Sequence, residues 1–250
     1  MTGAARLTAR AAARAGAGLT TIAVPEIAFS IYATALTSVM VHPLRNEAGL
    51  SQLLGEHRFN ALLIGPGAGV HELTRAHALS MLETGLPTLL DADALTSFSD
   101  DPTALFAAIG GHTLLTPHEG EFARLFDVQG SRDERASFAA QQSGAVIVLK
   151  GRETVITSPD GRIIVNRNAP PTLATAGSGD ELGGIILGLL AQGMEPFLAA
   201  AAGVWIHGAA AAAFGPGLVA EDLPDLLPTV LRQLQQFSVA SSFCTDRDAD

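Results

Sequence analysis

Short apolar runs alternate with helix-spaced segments along most of the chain, an order that predicts a mainly parallel central sheet covered by helices on both faces. The runs at 19–24, 61–64, 88–90, 114–115 and 146–149 are rich in leucine or β-branched residues and are bounded by Gly, Pro, Asp or Lys. Continuous hydrophobicity of this kind fits strands buried on both faces. Between them, 72–83, 119–126 and 131–143 carry helical spacing, with Asp133-Glu134 where a helix N-terminus favours negative charge. The opening segment 1–14 reads as a helix running into Gly16-Ala17-Gly18. Farther on, 154–157 and 162–165 flank Ser158-Pro159-Asp160-Gly161, a turn sequence that predicts a β-hairpin. Helices are then predicted over 178–192, 196–214 and 223–237, punctuated by Gly193 and Gly215. With no internal repeat and no composition shift to mark a linker, one domain over 1–240 is expected, followed by a disordered tail over 241–250.

Composition narrows the class. A chain of 250 residues that is 48% hydrophobic and 16% charged can bury a substantial core, and its 26 glycines and alanine stretches let helices pack closely. A net charge of −10 repels a phosphate backbone, so nucleic acid is not an expected partner. Cys244 stands alone, which rules out an internal disulfide and a multi-cysteine metal site and suits a cytoplasmic setting. No run reaches the roughly 18 consecutive apolar residues of a membrane span, so no membrane partner is expected.

Candidate chemistry gathers where predicted strands end. Ala176-Gly177-Ser178-Gly179-Asp180 precedes an apolar helix, so backbone N–H groups and a positive helix end can converge on a phosphate. A carboxylate facing a phosphate is awkward unless it takes the proton of an attacking hydroxyl, which makes Asp180 the candidate general base. Taken alone, the loop is equally an ordinary helix cap. Gly65-Pro66-Gly67-Ala68-Gly69, Asp91-Ala92-Asp93, Thr116-Pro117-His118-Glu119-Gly120-Glu121 and Lys150-Gly151-Arg152-Glu153-Thr154 each follow a predicted strand. The paired acids could orient Mg²⁺ waters or substrate hydroxyls, His118 could donate to a phosphate or carboxamide, and Glu121 could hold a metal-bound water. Lys150 could meet adenylate phosphates. Each has a plain reading as turn, cap or solvated charge, but turns needed only for folding would be spread over both sheet ends. His207 is read as a satisfied helix histidine, and Trp205 as core or subunit contact.

Assembled, these segments resemble the ADP-dependent NAD(P)H-hydrate dehydratases, a nucleotide-repair family of the ribokinase-like superfamily. The resemblance spans almost the whole chain and adds Arg14-Ala15-Gly16-Ala17-Gly18-Leu19 and Leu90-Asp91-Ala92-Asp93-Ala94-Leu95 to the motifs above. It implies a lyase that phosphorylates the hydroxyl of a hydrated nicotinamide ring and then eliminates phosphate, restoring NAD(P)H and leaving AMP. ADP, or in its place ATP, would be the donor, with Mg²⁺ on the phosphates. Ala4, Gly69, His118 and Asp180 would contact the hydrate. Lys150, Gly151, Arg152, Glu153 and Thr154, with Gly177, Ser178 and Gly179, would hold the adenylate, and no side chain would bind metal directly, Glu121 and Asp93 acting through water. A homo-oligomer, in the tetrameric form, is implied. Two departures stand out: the extra strand and glycine-serine loop that precede Thr2-Gly3-Ala4-Ala5 in the family are absent here, and Glu181 replaces the apolar residue common after the motif aspartate. The same loop and base would also serve a thiazole- or pyrimidine-type small-molecule kinase, or a truncated nucleotide-binding paralogue without activity.

Overall fold

The computed structural model describes residues 2–46 and 48–242. Helix α1 (Thr2–Ala15) leads into strand β1 (Thr21–Pro25), helix α2 (Phe29–Ala35), strand β2 (Met40–Leu44) and helix α3 (Gly49–Leu54). Strand β3 (Leu62–Ile64) is followed by α4 (Glu72–Glu83), β4 (Thr88–Leu90) by α5 (Asp93–Thr96) and α6 (Pro102–Ala108), and β5 (Thr113–Leu115) by α7 (Glu119–Leu125) and α8 (Arg132–Ser143). Strand β6 (Val146–Leu149) then runs into the hairpin of β7 (Thr154–Thr157) and β8 (Ile163–Asn166), and three helices close the chain: α9 (Ser178–Ala191), α10 (Pro196–Phe214) and α11 (Leu223–Ser242).

The six-stranded sheet has the order β3-β4-β5-β6-β7-β8, parallel through β6 and antiparallel across the hairpin. Alternate side chains sort to its two faces. Leu89, Leu114, Val146 and Val148 join the core beneath α1, α9, α10 and α11. Their neighbours Leu90, Leu115, Ile147 and Leu149 join a second core with Leu82, Phe98, Phe122 and Ala136 from the other helices. Such strands, covered on both sides, contain no polar alternation because neither face meets water.

The sheet is divided where one central sheet was expected. Strands β1 and β2 form their own parallel pair, with Ile22, Val24, Tyr32 and Val39 packed against Ala9 of α1. The predicted strand over 19–24 shifts accordingly, since Leu19 is exposed and Thr21–Pro25 make the ladder. The opening helix, the hairpin and the helices over 72–83 and 196–214 form as predicted. Helix α11 continues through Ser242, into the first positions of the expected tail, while Cys244 and the rest of that tail lie outside the described residues.

Local chemistry sets the helix ends. Ser131 accepts from the Glu134 N–H while the Glu134 carboxylate accepts from the Ser131 N–H, which starts α8, and Gly144 ends it in the left-handed region. Asp101-Pro102 and Glu195-Pro196 start α6 and α10 with a capping carboxylate followed by a proline at the first helical position. Helix α10 is long and apolar enough to cross a bilayer by length and composition, and over half of it is buried against α9, α11 and the sheet.

Candidate active site

The ends of β3, β4, β5 and β6 lie side by side, so the segments after them form one edge of the sheet. A further bridge between His118 and Lys150, with the Lys150 N–H donating to the Pro117 carbonyl at 2.9 Å, draws two of these segments together.

At β4, Asp91 is buried and its Oδ1 accepts from the Lys150 ammonium at 2.6 Å. Ala92 adopts φ 48°, a left-handed conformation that a residue with a Cβ adopts only under local constraint. The Asp93 carboxylate on its other side accepts from the Gly69 N–H at 2.8 Å and anchors the glycine-rich turn after β3. Gly65 fits against this segment only because it lacks a side chain, as a Cβ there would stand 1.7 Å from the Asp91 carbonyl oxygen.

At β5, Thr116-Pro117-His118-Glu119-Gly120-Glu121 folds into a reciprocal cap. His118 Nδ1 accepts from the Gly120 and Glu121 N–H groups, and Glu121 Oε2 accepts from the His118 N–H at 2.8 Å. With Nδ1 an acceptor, the proton of the neutral ring lies on Nε2, 3.4 Å from Glu121 Oε1. Glu121 is buried and stands 4.0 Å from the Lys150 ammonium. Burial opposes the charge of Lys150, yet Asp91, Glu121 and Asp180 together hold its pKa above the ordinary lysine value.

The turn before α9 is the candidate anion-binding element. Gly177 has φ 89°, a left-handed conformation that favours glycine, and a Cβ there would press on the Leu7 side chain at 2.7 Å. Among the described residues, no backbone acceptor takes the N–H groups of Gly179 or Asp180. The Lys150 ammonium stands 3.6 Å from the position a Cβ on Gly179 would occupy, so a cation and free amides face the same space. Asp180 shares it. Burial first, then the charges of Asp91 and Asp93, push its pKa up to about 6, while Lys150 pulls it down. Thr8 of α1 donates to the Asp180 carbonyl at 3.0 Å and to the Ala4 carbonyl at 3.1 Å, which brings Ala4 beside the same turn.

The expected site residues therefore divide. Asp180, Gly177, Ser178, Gly179, Lys150, Glu121, His118, Asp93, Gly69 and Ala4 border this edge. Thr154 is buried at the start of β7, its hydroxyl donating to the Gly151 carbonyl at 3.3 Å. Arg152 and Glu153 are exposed, with Glu153 paired to Arg167 at 3.0 Å. Three contributors escaped the sequence reading: Asp91 as the partner of Lys150, Thr8 as the tie to α1, and Arg132, which donates to the Leu149 and Lys150 carbonyls and pairs with Glu119. None has a local signal, because each partner is distant in sequence. His207 bears out its reading in part: it is buried and bonds to the Ser178 backbone, but its Nε2 has no partner, and burial foremost, opposed by the Ser178 bond and aided by Lys150, lowers its pKa to about 4. Trp205 is 42% exposed, so it is not core. Among the described residues no three His, Cys, Asp or Glu side chains surround a metal position. The carboxylates of Glu121 and Asp93 at this edge are oxygen donors of the kind that reach Mg²⁺ through its waters.

A family model described as NAD(P)H-hydrate dehydratase matches residues 1–231. A bifunctional NAD(P)H-hydrate repair enzyme of Moorella thermoacetica is 41% identical over 257 residues, covering 94% of this chain and 48% of its own. An ADP-dependent (S)-NAD(P)H-hydrate dehydratase of Neisseria meningitidis is 45% identical over 160 residues, which is 61% of this chain and 54% of its own. The chain thus spans about half the length of the curated relatives it matches. Among solved structures, the ADP/ATP-dependent NAD(P)H-hydrate dehydratase of Bacillus subtilis, co-crystallised with ATP and Mg²⁺, superposes with a TM-score of 0.78 at 31% identity, covering 93% of this chain and 85% of that one.

Proposed function

The chain belongs to the NAD(P)H-hydrate dehydratase family, and on that premise we propose that it uses ADP to dehydrate hydrated NAD(P)H, with Asp180 as the general base. Its architecture is ribokinase-like. The carrying observation is the shared space of the Asp180 carboxylate, the free amides of Gly179 and Asp180, and the Lys150 ammonium.

A hydroxyl on the hydrated ring gives its proton to the Asp180 carboxylate as its oxygen bonds to the β-phosphorus, and AMP departs. Hydroxide is a poor leaving group, whereas the phosphate ester leaves readily: the ring nitrogen donates its lone pair, the neighbouring carbon gives up a proton, and the double bond returns. The amides and Lys150 face the charge that builds on the transferring group, where preorganised donors count most. His118, with its proton on Nε2, and Gly69 line the hydrate side, and Lys150 to Thr154 with the turn before α9 line the nucleotide side. Mg²⁺ would neutralise phosphate oxygens when bound, its waters reaching Glu121 and Asp93. A cytoplasmic setting, where adenine nucleotides and reduced nicotinamide coenzymes are pooled, suits this chemistry. Exposed Leu198, Trp205 and Phe214 on α10 support a homo-oligomer.

The test is stoichiometric. Purified protein with hydrated NADH, ADP and Mg²⁺ is expected to yield NADH, AMP and phosphate in equal amounts. A stable phosphorylated alcohol would assign a kinase instead, and absence of turnover would leave only nucleotide binding.

A further inference from the structure

Glu181 follows the proposed base and takes no part in the chemistry above. It is 0% exposed, and neither carboxyl oxygen has a hydrogen-bond partner. Its helix is pressed against α1: Thr8 bonds to the Asp180 carbonyl, and one turn on, a Cβ at Gly184 would stand 2.2 Å from the Thr8 carbonyl oxygen. The charged groups around Glu181 are Arg10 from α1, Glu221 from the 3₁₀ turn Ala220–Asp222, Asp225 from α11, and Asp180 on its own helix. Three of these four are acidic. The one cation is already engaged, since Arg10 donates to Asp225 at 2.6 Å and to the Glu221 carbonyl at 3.3 Å, and Arg14 also pairs with Asp225. A buried carboxylate with no donor and a surplus of negative neighbours does not stay ionised.

We propose that Glu181 is a positioning residue of the phosphate turn, held in the fold as the neutral acid, and that loss of its proton weakens both the seat of α1 on α9 and the grip of the turn on a nucleotide phosphate. The second half rests on the reading of that turn as the nucleotide site. An ionised carboxylate in the first turn of α9 would oppose the positive helix end that receives the phosphate. Burial, then Asp180, Glu221 and Asp225, against the pull of Arg10, raise the Glu181 pKa to about 9. The folded protein therefore keeps a proton that the unfolded chain releases near the ordinary glutamate value. Stability contributed by this group is fully present below that value, falls as pH rises toward 9, and levels off beyond it. A bound nucleotide adds negative charge beside the acid, so proton and nucleotide favour each other's binding.

Melting temperatures of the nucleotide-free wild type, Glu181→Gln and Glu181→Leu between pH 5 and pH 10, with ADP·Mg²⁺ affinity measured at each pH, test this. Both variants are uncharged, so the amide serves as the conservative replacement and the leucine as a second if glutamine packs poorly. The melting temperature of the wild type should fall progressively below that of at least one variant up to about pH 9, with the gap constant above. Its ADP affinity should drop several-fold above pH 9 while the variant's stays level. A gap independent of pH overturns the neutral-acid assignment. A growing gap with parallel affinity profiles overturns the link to the phosphate turn. A growing gap with no ADP binding by any of the proteins keeps the neutral acid but overturns that link together with the nucleotide reading.

Discussion

Asp180 and Asp91 are both carboxylates at the same sheet edge, yet their surroundings give them opposite tasks. Asp91 is committed to the Lys150 ammonium at 2.6 Å, whereas Asp180 is pushed up to about 6 by burial and by Asp91 and Asp93. A base must be ionised to act, so kcat/KM should rise with pH through about 6 in the wild type. Asp91→Asn removes one negative neighbour and frees Lys150 to face Asp180. Both changes lower the base's pKa, so the acid limb of the pH–rate profile should move to lower pH, and an unmoved limb would show that the two groups do not sense each other. At this scale the sequence was informative about identities and silent about pairings. Gly177-Ser178-Gly179-Asp180 stands out as a candidate anion loop because glycine, helix start and acid are contiguous. The Asp91–Lys150 pair joins residues 59 positions apart and has no local trace.

The elements that carry these residues owe their placement to close packing. Helix α1 lies on α9 through Gly184 and Gly188, where a Cβ would come 2.2 Å from the Thr8 carbonyl and 2.7 Å from the Ala12 carbonyl. Backbone cannot yield as a side-chain tip can, so Gly184→Val should separate the helices and cost about 1–3 kcal/mol of stability. Denaturant unfolding measures this, and an unchanged midpoint would contradict the packing. Strands β4 to β6 were legible as continuous apolar runs because both their faces are covered, and the half-buried β3 because its short run is apolar throughout. Strand β2 was not, since Met40-Val41-His42-Pro43-Leu44 mixes a histidine and a proline into a two-stranded ladder that is only partly buried. Pro43 donates nothing to the ladder, a pattern usual at sheet edges. Helices α2, α3 and α6, of 6 or 7 residues each, were equally silent, as so few turns show little periodicity.

Across the whole molecule, the sheet separates two cores and leaves one edge, at the ends of β3 to β6, for chemistry. The first core lies under α1, α9, α10 and α11, so the anion turn at the start of α9 is anchored by the largest apolar cluster of the described residues. On the proposed function, those amides are preorganised for a phosphate because the helix behind them is packed into this core. The layered arrangement was readable from the order of runs and turns, since alternating strands and helices allow few other solutions. The detachment of β1 and β2 from the main sheet was not, because pairing partners depend on contacts far apart in sequence. The claim on which all of this depends is that Asp180 removes a proton at a phosphate held by those amides. The direct test is Asp180→Asn, assayed for NADH formation from its hydrate and, on the same sample, for ADP binding. Turnover should fall by a factor of about 10²–10⁴ with ADP affinity retained or improved, and an asparagine variant that turns over like the wild type would contradict the account.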